Sequence, residues 1–288
     1  MNQAIQAMLK HYKCETRMEY ERALKEILQE VALVGLWRGH FFEHAAFYGG
    51  TALRILHGLD RFSEDLDFTL LFSHKDFSLS EYNSCIRNEL ESYGFDVTVE
   101  TKNKVLQTPV QSAFIKTNTL NELIKIGIPK NLVKGFHYET TLKIKVEVDT
   151  DPAPAYRTDI HFLKAPALVG IKIVILEDIF AGKMHALLFR EWKKRVKGRD
   201  WYDWLWFVRK GTSLNLQRLS IHLHNSGFLP QEKWLTREIF DQMMLDKIES
   251  IDLESVRNDI RPFAPDLEAI NSWTKEMFCH FVQEMKTF

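Results

Sequence analysis

The stretch Thr141-Leu142-Lys143-Ile144-Lys145-Val146-Glu147-Val148-Asp149 alternates between apolar and charged residues without a break. Successive side chains of a strand point to opposite faces. Leu142, Ile144, Val146 and Val148 therefore line one face, and Lys143, Lys145, Glu147 and Asp149 line the other. Such a strand belongs in a sheet with one covered face and one polar face. Asp151-Pro152-Ala153-Pro154 ends it. Residues 62–72, 95–101 and 111–117 also fit strands, and 78–93 fits a helix closed by Gly94. Residues 1 to about 46 read as helix, rich in Ala, Leu, Glu, Lys and Gln. From about residue 176 the pattern is helical, over 177–190, 200–210, 213–225, 231–250 and 266–285. The expected class is mixed α/β (α+β). The segments are an N-terminal helical part at 1–46, a core at 47–175 and a helical C-terminal region at 176–288.

The chain has 288 residues and a formal net charge of -1, which excludes a globally basic coat for nucleic acid. No apolar run reaches the ~18–20 residues that span a bilayer, so no membrane association is expected. Met1-Asn2-Gln3-Ala4-Ile5-Gln6 lacks the basic and apolar regions of a signal peptide. Cys14, Cys85 and Cys279 are too few and too widely spaced for a disulfide framework. The expectation is a reduced, cytoplasmic protein.

Five features point to chemistry. In Ser63-Glu64-Asp65-Leu66-Asp67, strand spacing would place Ser63, Asp65 and Asp67 on one face. Adjacent carboxylates repel unless a cation lies between them, and Mg²⁺ is the common choice. Gly49-Gly50-Thr51 would open a helix with Thr51 as its N-cap, presenting backbone N–H groups to a phosphate. Glu147, central on its strand, is a third carboxylate for a two-metal clamp; Asp149 lies beside it. Arg190, Lys193, Lys194, Arg195, Lys197 and Arg199 form a basic run suited to a triphosphate or an RNA backbone, with Trp192 able to stack a base. Lys183 follows Glu177-Asp178, and Asp200 and Asp203 share a helical face.

Two other patterns compete. His40-Phe41-Phe42-Glu43-His44 matches the H-x-x-E-H spacing of inverted zinc peptidases, which requires a continuous helix. His222 and His224 have no evident partner and read as surface residues. Trp201, Tyr202, Trp204, Trp206 and Phe207 read as the core side of a helix, with Trp201 or Tyr202 available at a site rim.

Gly49-Gly50-Thr51-Ala52-Leu53-Arg54 followed by Arg61-Phe62-Ser63-Glu64-Asp65-Leu66-Asp67-Phe68 resembles motif I of the AbiEii/AbiGii nucleotidyl transferase toxins. Two later blocks match as well: Glu177-Asp178-Ile179-Phe180-Ala181-Gly182-Lys183-Met184-His185-Ala186-Leu187, and Arg195-Val196-Lys197-Gly198-Arg199-Asp200-Trp201-Tyr202-Asp203. The resemblance covers roughly residues 45–210 and implies a DNA polymerase β-like nucleotidyltransferase core whose helical C-terminal region completes the site. It also implies a bacterial toxin of abortive phage infection, paired with a separately encoded antitoxin. The related MenT-type toxins attach nucleotides to the tRNA 3′ end. By motif, Asp65 and Asp67 would hold Mg²⁺ or Mn²⁺ and position the α-phosphate. Gly49, Gly50, Thr51, Arg54, Ser63 and Arg199 would hold the triphosphate. Lys183 would neutralise phosphate charge, with Asp200 a late catalytic acid and Asp203 a further one. The expected reaction is attack by an RNA 3′-hydroxyl on the α-phosphate of a nucleoside triphosphate. Transfer to a protein or small molecule, and a nucleotide- or RNA-binding pseudo-enzyme, are the alternatives.

Overall fold

The computed structural model describes residues 2–102, 108–133, 137–189 and 197–288. The chain divides into two compact units. One comprises Met1–Gly58, Ser63–Pro152 and Asp159–Ile173; the other comprises Leu59–Phe62, Ala153–Thr158 and Val174–Phe288.

The first unit begins with α1 (Gln3–Leu9) and α2 (Arg17–Arg38). The single helix expected over 1–46 is broken between them and again after Arg38. Thr16 and Glu19 form a reciprocal capping box that restarts the chain as α2. Beyond a short turn at Phe41–Glu43, residues Ala45–Tyr48 form strand β1. Next come α3 (Gly49–His57), β2 (Leu66–Leu70), α4 (Asn83–Ser92), β3 (Thr98–Thr101), β4 (Val110–Asn118), α5 (Thr119–Lys125), α6 (Lys130–Val133) and β5 (Thr141–Asp149). Strands β6 (Thr158–Leu163) and β7 (Val169–Val174) were not expected from the sequence. The strand order is β3-β4-β5-β2-β1-β7-β6. Pairing is mixed: β2 runs parallel to β5, and β1 runs antiparallel to β2.

The alternation read in β5 is realised. Leu142, Ile144, Val146 and Val148 are buried in the core with Leu66, Phe68, Phe47 and the apolar side of α2. Phe47 stacks on Phe68 at 5.0 Å between ring centroids. The register fixes what lies on the opposite face. Tyr48 is paired with Asp67, Asp67 with Glu147, and Glu147 with Ser112.

The second unit is helical: α7 (Leu176–Phe189), α8 (Gly198–Lys210), α9 (Leu216–Asn225), α10 (Arg237–Ser250), α11 (Leu253–Ile260), α12 (Leu267–Asn271) and α13 (Lys275–Glu284). Several starts fall later than hydrophobicity suggests because a capping side chain decides them. Asn215 caps α9 and Thr236 caps α10. The helix expected over 266–285 is two helices, the second started by the Thr274 cap. Trp201, Trp204 and Phe207 are buried, with Trp201 stacked on Phe278 at 5.1 Å, as the core reading required. No helix among the described residues is long and apolar enough to cross a membrane.

Candidate active site

In the first unit the acidic motif straddles a loop and a strand. Ser63, Glu64 and Asp65 precede β2, and Asp67 lies within it. The shared face expected from strand spacing therefore does not arise by alternation alone. The loop is set by side chains beneath it. Thr51 donates its hydroxyl to the Asp65 carbonyl and lies 3.0 Å from Ser63 Oγ. Gln29 Nε2 donates to the Glu64 carbonyl at 2.8 Å, and Lys25 Nζ is 3.1 Å from Glu64 Oε1. Thr51 is not the N-cap of α3, since the helix already begins at Gly49 after the extended Tyr48.

Gly49 is required by geometry. Its φ is 79°, and a Cβ there would lie 2.5 Å from Asp67 Oδ2. No other residue takes this conformation so cheaply, and no side chain fits against the carboxylate. Gly50 is buried in the first turn of the same helix. Arg54 lies further along it, with Nε 2.9 Å from Glu26 Oε2 on α2; Tyr12 donates to the other oxygen of Glu26 at 3.1 Å.

Asp67 and Glu147 are Cα partners on adjoining parallel strands. Glu147 Oε1 accepts from Ser112 at 3.2 Å and pairs with Lys145 at 2.7 Å. Asp65 has its pKa raised, by burial first, then by Glu64 and Glu147, against the lowering pull of Lys25 and Lys145. The pKa of Asp149 is also raised, mainly by burial. Among the described residues no three His, Cys, Asp or Glu side chains are grouped so as to hold a metal ion.

The second unit carries a different cluster. Asp203 is fully buried and accepts from Arg61 Nε and Nη2, at 2.6 and 2.7 Å. Lys183 Nζ pairs with the same carboxylate at 2.7 Å. Burial opposes the Asp203 charge, but Arg61 and Lys183 hold its pKa below the ordinary carboxylate value. Asp200 is buried on the same helix. The Arg199 guanidinium lies 4.3 Å from the centroid of Phe263. Arg190, Trp192, Lys193, Lys194 and Arg195 of the basic run lie outside the described residues.

The competing patterns fare differently. His40 has φ 59° and precedes a single short turn, with Nδ1 2.9 Å from Glu43 Oε1. The helical face that an inverted zinc peptidase needs is absent there. His222 is half-buried rather than superficial, and its pKa is pushed down to about 3 by burial, then by Arg218 and His185.

Sequence reasoning missed Gln29, Lys25, Glu26 and Lys145, and gave no role to Arg61 although it opens a matched motif block. Lys145 was visible in principle, two residues before Glu147 on the same strand face. The others are long-range partners that no local pattern marks.

This mixed sheet with a helical C-terminal region matches the expected class, that of a nucleotidyltransferase. The chain belongs to the nucleotidyl transferase AbiEii toxin family of type IV toxin–antitoxin systems, whose profile matches residues 31–280. Membership implies an antitoxin partner. JHP933 from Helicobacter pylori is similar in structure, with 18% identity, 90% of this chain and 89% of that chain covered, and a TM-score of 0.49. A provisionally assigned nucleotidyltransferase from H. pylori is similar at 16% identity, 89% and 90% coverage and a TM-score of 0.47. No curated protein sequence matches the chain.

Proposed function

We propose that the protein is a metal-dependent nucleotidyltransferase that moves a nucleoside monophosphate from a nucleoside triphosphate to an RNA 3′-hydroxyl. tRNA is the acceptor the family resemblance favours. The observation that carries this reading is the Asp67–Glu147 register on one sheet face, beside an Asp65 whose pKa is raised, by burial first and then by Glu64. Carboxylates gathered in this way favour a cation between them.

The donor set fits Mg²⁺. All three groups are hard oxygen donors, and Mg²⁺ is commonly held by one or two carboxylates completed by water and substrate phosphates. Among the described residues no three such side chains are grouped to hold an ion by themselves, so water and substrate phosphates would complete its shell. Asp65, Asp67 and Glu147 would hold the ion, which would lower the pKa of the attacking hydroxyl and stabilise the leaving oxygens. The chain's own groups do the positioning. Gly49 leaves room for Asp67 and starts a helix whose N-terminal N–H groups suit a phosphate. Thr51 and Gln29 hold the Ser63–Asp65 loop by its backbone, so the Asp65 carboxylate is presented without reorganisation. Lys183 and Asp200 keep the catalytic roles that the resemblance implies, as proposals.

The test is incubation of the protein with Mg²⁺, total tRNA and each α-labelled nucleoside triphosphate in turn, with Asp65→Ala alongside. Label should pass to RNA with the wild type and fall by at least on the order of 10²-fold in the variant. A near-wild-type rate from Asp65→Ala sinks the assignment. Label on protein but not on RNA replaces the RNA acceptor with a protein one.

A further inference from the structure

Beyond Glu147 the polar sheet face continues along β4 and β5 toward the start of β5. The antiparallel register sets Ser112 opposite Glu147, Phe114 opposite Lys145, and Lys116 opposite Lys143. All six side chains therefore share one face. Lys143 is exposed, and its Nζ lies 3.7 Å from the centroid of the half-buried Phe114. The Lys116 side chain is 37% exposed and pairs with Glu100 on β3 at 2.5 Å. Among the described residues the Lys143 ammonium contacts an aromatic ring and no carboxylate.

Resting on the nucleotidyltransferase reading above, we propose that this strip binds the single-stranded 3′ end of the acceptor RNA. Lys143 and Lys116 take its phosphates, and Phe114 takes a base. Three arguments select this occupant. The strip is continuous with the Asp67–Glu147 face, so a strand lying on it leads toward the carboxylates. Lys143 is four residues from Glu147, about 14 Å along a strand at ~3.4 Å per residue. That is the rise of about four stacked nucleotides at ~3.4 Å each. By the parallel β2–β5 register Lys143 lies toward the same end of the sheet as Ser63, one strand to the side of it, so the strip runs alongside the Gly49 and Ser63 end assigned to the triphosphate. Finally, both β4 and β5 are paired on their two sides, so no free edge invites a peptide strand. Ammonium groups interleaved with a ring suit alternating phosphates and bases. A base arriving on Phe114 displaces the Lys143 ammonium from the ring, and a phosphate receives it.

The test uses the full-length protein, a short fluorescein-labelled single-stranded RNA and, separately, a fluorescent nucleoside triphosphate. The double variant Lys116→Ala with Lys143→Ala alters two surface positions. It should weaken RNA binding and reduce the slope of log K against log salt by about 1.4, at ~0.7 per lost phosphate contact. Phe114→Leu keeps apolar bulk in the half-buried site and should weaken RNA binding at least ~5-fold while leaving the salt slope unchanged. Triphosphate affinity should not move in either variant. Unchanged RNA affinity and slope overturn the proposal. So does a loss of triphosphate affinity with RNA binding intact, which would give the strip to the triphosphate. The two failures are separable. If the wild type transfers label to RNA and the strip variants behave like it, only this inference falls. If the wild type never labels RNA, the underlying reading falls first.

Discussion

Replacing Asp203 by Ala should destabilise the second unit severely. The carboxylate is fully buried, Arg61 is 2% exposed, and the Lys183 side chain is 18% exposed. Its removal strands two cations, of which Lys183 has some route to water and Arg61 has almost none. Breaking a buried pair from one side costs about 3–5 kcal/mol. That is a large part of the ~5–15 kcal/mol that holds a typical domain folded. The assay is urea unfolding followed by tryptophan fluorescence. Trp201, Trp204, Trp206, Trp234 and Trp273 all lie in this unit, so the signal reports mainly on it. The double variant Arg61→Met with Asp203→Leu removes charge from both sides and should recover much of the loss, because a buried ion pair is often replaceable by apolar groups. Acid titration gives the sign. The Asp203 pKa is depressed in the folded state from a reference of 3.8, so its stabilisation is present above that reference and is lost as pH falls through the lower folded value. Asp203→Ala should lack that acid limb. A loss below about 1 kcal/mol from Asp203→Ala, or a double variant as unstable as the single one, would refute the reasoning.

Two further outcomes are expected. Gly49→Ala places a Cβ 2.5 Å from Asp67 Oδ2 at a φ of 79°; it should lose about 1–2 kcal/mol of stability from backbone strain and should weaken triphosphate binding, measured by thermal melting and by nucleotide titration. The Glu30 carboxyl is pushed up to about 8 from 4.5 by burial and by Glu26, so the stability it allows is full below pH 4.5 and is lost as pH rises toward 8. Glu30→Gln should flatten that decline, whose slope is at most ~1.4 kcal/mol per pH unit, and a wild-type profile that is flat between those values refutes the shift.

The legible parts of the molecule were those written in local pattern. The β5 alternation carried its bounds and its two faces, because a half-buried strand has no other way to satisfy both sets of side chains. Gly49 and Gly50 announced a turn into a helix, and the aromatic run of α8 announced a core. What escaped was decided by single polar side chains or by distant partners. Thr16 restarts a helix where composition alone reads straight through. Asn215, Thr236 and Thr274 move helix starts by accepting a backbone N–H. Strand β6 is mostly exposed and shows no apolar face, and β7 alternates, with Val169, Ile171 and Ile173 buried, but over only six residues. The Arg61–Asp203 pair spans 142 residues of sequence, and no periodicity carries that information.

Asp65 and Asp203 both fall in the sequence blocks that match the family, yet their surroundings separate them. Burial disfavours charge on both. Around Asp203 the penalty is overcome by a guanidinium and an ammonium in direct contact, so the group is ionised, fixed and already fully partnered. It has little left to offer a reacting atom. Around Asp65 the penalty is compounded by Glu64 and Glu147, and Lys25 and Lys145 offset it only in part. A divalent cation at the proposed site would relieve that penalty. Asp203, fully buried, and Asp65, half-buried, therefore shift in opposite directions. The depressed one is a group that holds the second unit together, and the raised one is the group the proposed metal site would use.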